Sequence, residues 1–263
     1  SIGVEALMFN TSANDNTATG RSALRGNTTG TNNTANGMNS LYNNTTGIWN
    51  TSIGLQALFN NTSGNYNTAF GINALNANTS GANNTATGVH ALVTNTTANE
   101  NVANGVHALS LNTTGYQNTA TGNYSLYSNT TGYNNVANGY QSLNANTSGF
   151  SNTAVGVSSL LTNTIGNINT AIGSNALYSN IIGTNLTAVG SASLFSNTSS
   201  NNTATGYRAL YYNTIGTQNT AIGYMALYNN TTGNNNTATG INSLVSNTTG
   251  SNNTATGFIT LYS

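Results

Sequence analysis

The chain has 263 residues, of which 2% are charged: three basic and three acidic side chains with no net charge. Without lysine, cysteine or proline it offers no basic patch for nucleic acid, no thiolate chemistry and no disulfide. No apolar run approaches the roughly 18 residues of a membrane-spanning helix, so membrane insertion is not expected.

What remains is 54 Asn, 46 Thr, 26 Ser and 29 Gly, with apolar residues at 37%. The apolar residues recur at fixed intervals, which a disordered polar tract would lack. Glycines at 3, 20, 37 and onward to 190 lie seventeen apart, and after one missing residue in "SNTSSNNTATG" the series resumes at Gly206, Gly223, Gly240 and Gly257. The whole of 1–263 therefore reads as a single repeat array anchored from Gly3 to Gly257, with a one-residue deletion near 197–202. Because it opens and closes inside a repeat, it reads as an excerpt of a longer fibre.

Taken in order through one repeat, such as "NTATGRSALRGNTTGTN" (Asn16 to Asn32), the first predicted element is the strand "NTAxG". The second is "xxALxx", also predicted as a short strand by its alternation. Its leucine, four after each anchor glycine, is present in every copy from Leu7 to Leu261. A fixed asparagine follows at a corner, seven after the glycine, from Asn10 to Asn247. The opening asparagine fails once, at Leu186, and the alanine two before the anchor glycine fails once, at Ser52.

These features predict an all-β fold: a β-solenoid, or β-roll, of sixteen 17-residue coils in an elongated rod on the order of 75 Å long. Stacked asparagines would pass amide hydrogen bonds from coil to coil, and the scarcity of charge avoids like charges stacked in register.

If "xxALxx" is a regular strand, positions one and five after the glycine face away from the leucine. Position five then forms an aromatic self-association stripe of Tyr42, Phe59, Tyr127, Tyr178, Phe195, Tyr211, Tyr228 and Tyr262. Such a stripe exceeds what a monomer normally leaves uncovered, so the expected partner is a further copy of the chain.

Catalysis finds little to use. The three acids are isolated and only two histidines are present, so no enzyme activity and no cofactor are expected. His90 and His107 occupy one position in adjacent repeats and are a two-ligand metal candidate, with Glu100 between them in sequence. Twelve of 23 N-x-S/T sequons fall on the fixed asparagine: Asn10, Asn27, Asn44, Asn61, Asn78, Asn95, Asn112, Asn129, Asn146, Asn197, Asn230 and Asn247. They are candidate sites for covalent glycans that would keep an uncharged surface soluble. Sugars placed on this series would skip Asn163, Asn180 and Asn213, where the sequon is broken.

The "NTAxGxxALxxNTTG" phrase, as in "NTAIGYMALYNNTTGNN" from Asn219 to Asn235, resembles the glycine-anchored head repeats of trimeric autotransporter adhesins. It is also similar to arrays in tail-fibre-like proteins of the chaperone-of-endosialidase type. The resemblance covers all sixteen copies and implies a left-handed β-roll, commonly trimeric, displayed outside a cell or on a virion. The expected function is the shaft of an extracellular or surface-exposed fibre, self-associated and N-glycan coated. An adhesin or receptor-binding segment of a tail fibre that engages a cell-surface receptor is the alternative. Ice binding is a minor one, resting on paired threonines such as Thr17/Thr19 and Thr85/Thr87, a ladder interrupted at Phe70, Ile172, Val189 and Asn104.

Overall fold

The structure, a computed structural model, describes residues 1–261. Tyr262 of the expected stripe therefore lies outside the described residues. The chain is all-β, without a helix among the described residues, and its repeats form parallel β-solenoid stacks. It divides into two compact units, Ser1–Asn134 and Asn135–Ser263, with the same repeat on both sides of the boundary.

The first unit holds seven three-residue strands: β1 (Thr17–Thr19), β2 (Thr34–Asn36), β3 (Thr51–Ile53), β4 (Thr68–Phe70), β5 (Thr85–Thr87), β6 (Val102–Asn104) and β7 (Thr119–Thr121). The second holds eight: β8 (Val136–Asn138), β9 (Thr153–Val155), β10 (Thr170–Ile172), β11 (Thr187–Val189), β12 (Thr203–Thr205), β13 (Thr220–Ile222), β14 (Thr237–Thr239) and β15 (Thr254–Thr256). Within each unit the strands pair parallel and in sequence order. Equivalent residues face each other, as in Thr17↔Thr34 and Ala18↔Ala35. The first copy joins through a single bridge, Ile2↔Thr19, so every anchor glycine belongs to a stacked repeat.

The strand is the "TAx" of the repeat, and its alternation sets its two faces. The central alanine is buried, while the flanking residues point out and are half-buried or exposed. Ser52, the exception at this position, stays satisfied in the core: its hydroxyl donates to Ala57 O at 2.8 Å and accepts from Ser40 Oγ at 2.7 Å. The one-residue deletion is absorbed before β12, because Thr187↔Thr203 and Ala188↔Ala204 remain in register.

The second expected strand is overturned. "xxALxx" is a run of turns in which positions two and four after the glycine are left-handed, with Ser22 at φ 56° and Leu24 at φ 51°. The invariant leucine has a φ between 48° and 56° in every copy, a conformation costing an L-residue about 1–2 kcal/mol. Two compensations offset it. The leucine side chain is fully buried in the interior coils, contributing about 1.5–3 kcal/mol. Its N–H also donates to the next repeat, as Leu24 N does to Ser40 O at 3.0 Å. The anchor glycine that precedes this curl has a φ near +130°, and at Gly54 a Cβ would lie 2.6 Å from Gly71 O, so only glycine fits.

Candidate functional site: asparagine ladders and two outward columns

The core of each repeat is closed by amides rather than hydrocarbon. Asn27, Asn44, Asn61, Asn78, Asn95, Asn112, Asn129, Asn146, Asn163, Asn180, Asn197, Asn213 and Asn230 are fully buried. Asn61 is representative: Nδ2 donates to Asn44 Oδ1 at 2.8 Å and to Gly64 O at 3.0 Å, and Oδ1 accepts from Asn78 Nδ2 at 2.8 Å. Both amide hydrogens are used, so this rung is fully connected to its neighbours.

A second ladder, not anticipated from the sequence, is built from the asparagine that opens the phrase. Asn50 Nδ2 donates to Gly64 O at 2.8 Å, and its Oδ1 accepts from Asn67 N at 3.0 Å. The two ladders meet on one carbonyl, whose two lone pairs are taken by Asn61 and Asn50. A Cβ at Gly64 would crowd Asn61 Oδ1 and Gly81 O, which favours glycine three after the fixed asparagine, although buried Ala98 holds the same place and accepts the same two amides. A third series runs outside, with the threonine hydroxyl after the fixed asparagine donating to the next repeat's carbonyl, as Thr62 Oγ1 does to Thr79 O at 3.0 Å.

This geometry revises the sequon reading. A sugar on Nδ2 replaces one hydrogen and needs open space beyond it, and ten of the twelve candidates (Asn27, Asn44, Asn61, Asn78, Asn95, Asn112, Asn129, Asn146, Asn197 and Asn230) are fully buried and lack that space. Asn10 is exposed and Asn247 half-buried in the outermost repeats. Asn163 and Asn213, whose sequons are broken by Ile165 and Ile215, make the same bonds: Asn163 Nδ2 to Asn146 Oδ1 at 2.9 Å and to Gly166 O at 3.0 Å. The ladder does not distinguish a sequon from its broken form, so the asparagine serves the stack. Exposed sequon asparagines stand elsewhere, at Asn83, Asn123, Asn185, Asn201, Asn235 and Asn252.

Both ladders are disturbed at one place. Leu186 replaces a ladder asparagine, the deletion follows it, and Asn180 Oδ1 is buried without a hydrogen-bond partner. Asn197 Nδ2 turns instead to Ser199 O at 2.7 Å. Asn202 Nδ2 reaches Asn197 Oδ1 at 3.1 Å and Gly216 O at 2.8 Å, which restores the pattern beyond.

The expected outward stripe is also reassigned. Tyr42, Phe59, Tyr127, Tyr178, Phe195, Tyr211 and Tyr228 are half-buried. Tyr178, Phe195, Tyr211 and Tyr228 stack face to face at 5.0, 5.0 and 5.4 Å, as Tyr42 does on Phe59 at 5.1 Å. These separations match the spacing of neighbouring strands, and the rings cover one another's faces at about 0.5–1.5 kcal/mol per pair. The exposed column is position one after the glycine. It carries Met38, Leu55, Ile72, Val89 and Val106 in the first unit, and Tyr140, Val157, Tyr207, Tyr224 and Ile241 in the second.

His90 and His107 do come together, with ring centroids 5.0 Å apart and edge to face. His107 also stacks on Tyr124 at 5.2 Å, and its Nδ1 is buried without a hydrogen bond. Burial, and secondarily the charge of His90, hold its pKa below the ordinary value. Glu100 stands at another corner, where its Oε2 accepts from Gln117 Nε2 at 2.8 Å. No group of three or more ligating side chains occurs among the described residues. The threonine pairs proposed for ice flank the inward alanine on the outer strand face, where the second column also carries Phe70, Asn104, Ile172 and Val189.

No protein-family model and no curated protein matches this chain. Its regular 17-residue repeat with a threonine-rich strand in each turn is the feature shared with repetitive β-solenoids in general.

Proposed function

We propose that this chain is a structural element, a segment of an extracellular fibre shaft that associates laterally with further copies of itself. The observation that carries the reading is where its invariant residues lie. The anchor glycine, the leucine and the fixed asparagine, together with the nearly constant opening asparagine and second glycine, serve the interior of the stack, and none converges on an outward site. A sequence whose constant part is internal, or, like the threonine after the fixed asparagine, bonded to the next repeat, is one whose product is the stack itself. Lateral association is supported by the exposed column at position one, because apolar side chains in successive repeats form a longer patch than a solitary soluble protein usually leaves open. The resemblance of the "NTAxGxxALxxNTTG" phrase to surface-fibre repeats supports placement outside the cell.

Sedimentation velocity over a concentration series tests this reading. The expected result is mass that grows with concentration, and reversal of that growth by Ile72→Asn with Tyr224→Ser. Asparagine and serine already occupy this column at Asn123 and Ser174, so the substitutions are compatible with the fold. A single monomeric species at every concentration would overturn it.

A further inference from the structure

The repeat supplies its own control, because every copy has nearly the same backbone and departures from uniformity stand out. Four of the six charged residues, Glu5, Asp15, Arg21 and Arg25, gather in the first repeats. There a hollow of about 380 Å³ opens between the column at positions one and two and the aromatic column at position five. Its volume lies at the lower end of ligand sites.

One wall is held rigid from behind. Glu5 accepts from Arg25 Nε at 3.1 Å and from Ser22 Oγ at 3.0 Å, and Arg25 Nη1 donates to Tyr42 Oη at 3.0 Å. The Arg25 guanidinium also lies over the Tyr42 ring, 5.5 Å from its centroid, while Phe59 stacks on the ring. Glu5 and Arg25 cancel each other's charge. Arg21, which also lines the hollow, is exposed, and its guanidinium makes no hydrogen bond or ion pair among the described residues. The Asn39 side-chain amide beside it is likewise without a hydrogen bond among the described residues, and Met38 adds an apolar surface. The hollow thus combines one available cation, one available amide and a pre-set wall of ring edges and thioether.

We propose that this hollow binds a small carboxylate carried on a six-membered ring, the chemistry shared by uronic-acid sugars and aromatic acids. The carboxylate pairs with the Arg21 fork, Asn39 meets a ring substituent, and the ring body lies against Met38 and Tyr42. A monomeric chain would carry this site as well, and because Met38 belongs both to the hollow and to the association column, the titration is made at a concentration where sedimentation shows a single species.

Isothermal titration of the full chain with glucuronate, glucose, benzoate and benzyl alcohol tests the proposal. At least one acid is expected to bind about tenfold tighter than its neutral counterpart, the scale of one charge-assisted bond. Arg21→Met should remove that advantage; methionine occupies the equivalent position at Met38, so folding is preserved. Tyr42→Asn, copying Asn76, should weaken acids and neutral rings alike. An advantage confined to glucuronate assigns the site to acidic sugars, and one confined to benzoate assigns it to aromatic acids. No advantage for either acid, or an advantage that survives Arg21→Met, would overturn the proposal.

Discussion

At Asn61 three hydrogen bonds pass through one buried amide. Replacing it with alanine leaves Asn44 Oδ1 without a donor and Asn78 Nδ2 one acceptor short, each costing about 1–3 kcal/mol. Asn61→Ala should therefore destabilise the fold by roughly 3 kcal/mol in denaturant titration. Ile165→Thr, which rebuilds a sequon on the exposed side of Asn163, should shift stability by less than about 0.5 kcal/mol. His107 adds a pH dependence with a definite sign. Its folded pKa is lowered by burial and by His90, so its stability contribution is complete above the ordinary histidine value of about 6.5 and declines as pH falls below it. Thermal melts should show that loss, and His107→Asn should remove it, since asparagine holds the same left-handed position at Asn73.

Each repeat couples one extended strand to a curl of left-handed residues, and only the strand was legible. "TAx" alternates and is bounded by Asn and Gly, so its faces follow from period two. The curl was misread because leucine has no preference for positive φ; its conformation is imposed by the burial of its side chain and by the bonds to neighbouring repeats. One local signal did exist. The position five before the anchor glycine is left-handed and is asparagine at Asn32, Asn83, Asn134, Asn185, Asn201, Asn235 and Asn252, a residue that tolerates this region. The fixed asparagine was correctly read as a ladder, whereas the second ladder was missed because its rungs sit at the edge of the strand, where asparagine also reads as a turn residue. Leu186 and the neighbouring deletion interrupt both ladders and leave Asn180 Oδ1 unpaired. Hydrogen exchange should therefore be faster at the amides of Leu194 and Thr203 than at the equivalent Leu160 and Thr170 within the same unit.

Across each unit the scarcity of charge follows from stacking in register. Any charged rung would face its own copy about 5 Å away, and the exceptions at Glu5, Arg25 and Arg208 are paired or lie over aromatic rings. Because the interior is closed on itself, any contact with other molecules is left to the outward columns, of which position one exposes large apolar side chains. The sequence showed that an apolar column exists; which column stays exposed depended on the curl and was settled by its backbone. The central claim is that the fixed asparagines are interior rungs and not attachment points. Electron cryomicroscopy of the purified protein at side-chain resolution tests it most directly. The expected map shows amide density bridging successive repeats about 4.8 Å apart from Asn27 to Asn129, with no sugar on any of them. Outward-turned asparagines on that series carrying glycan density would contradict it.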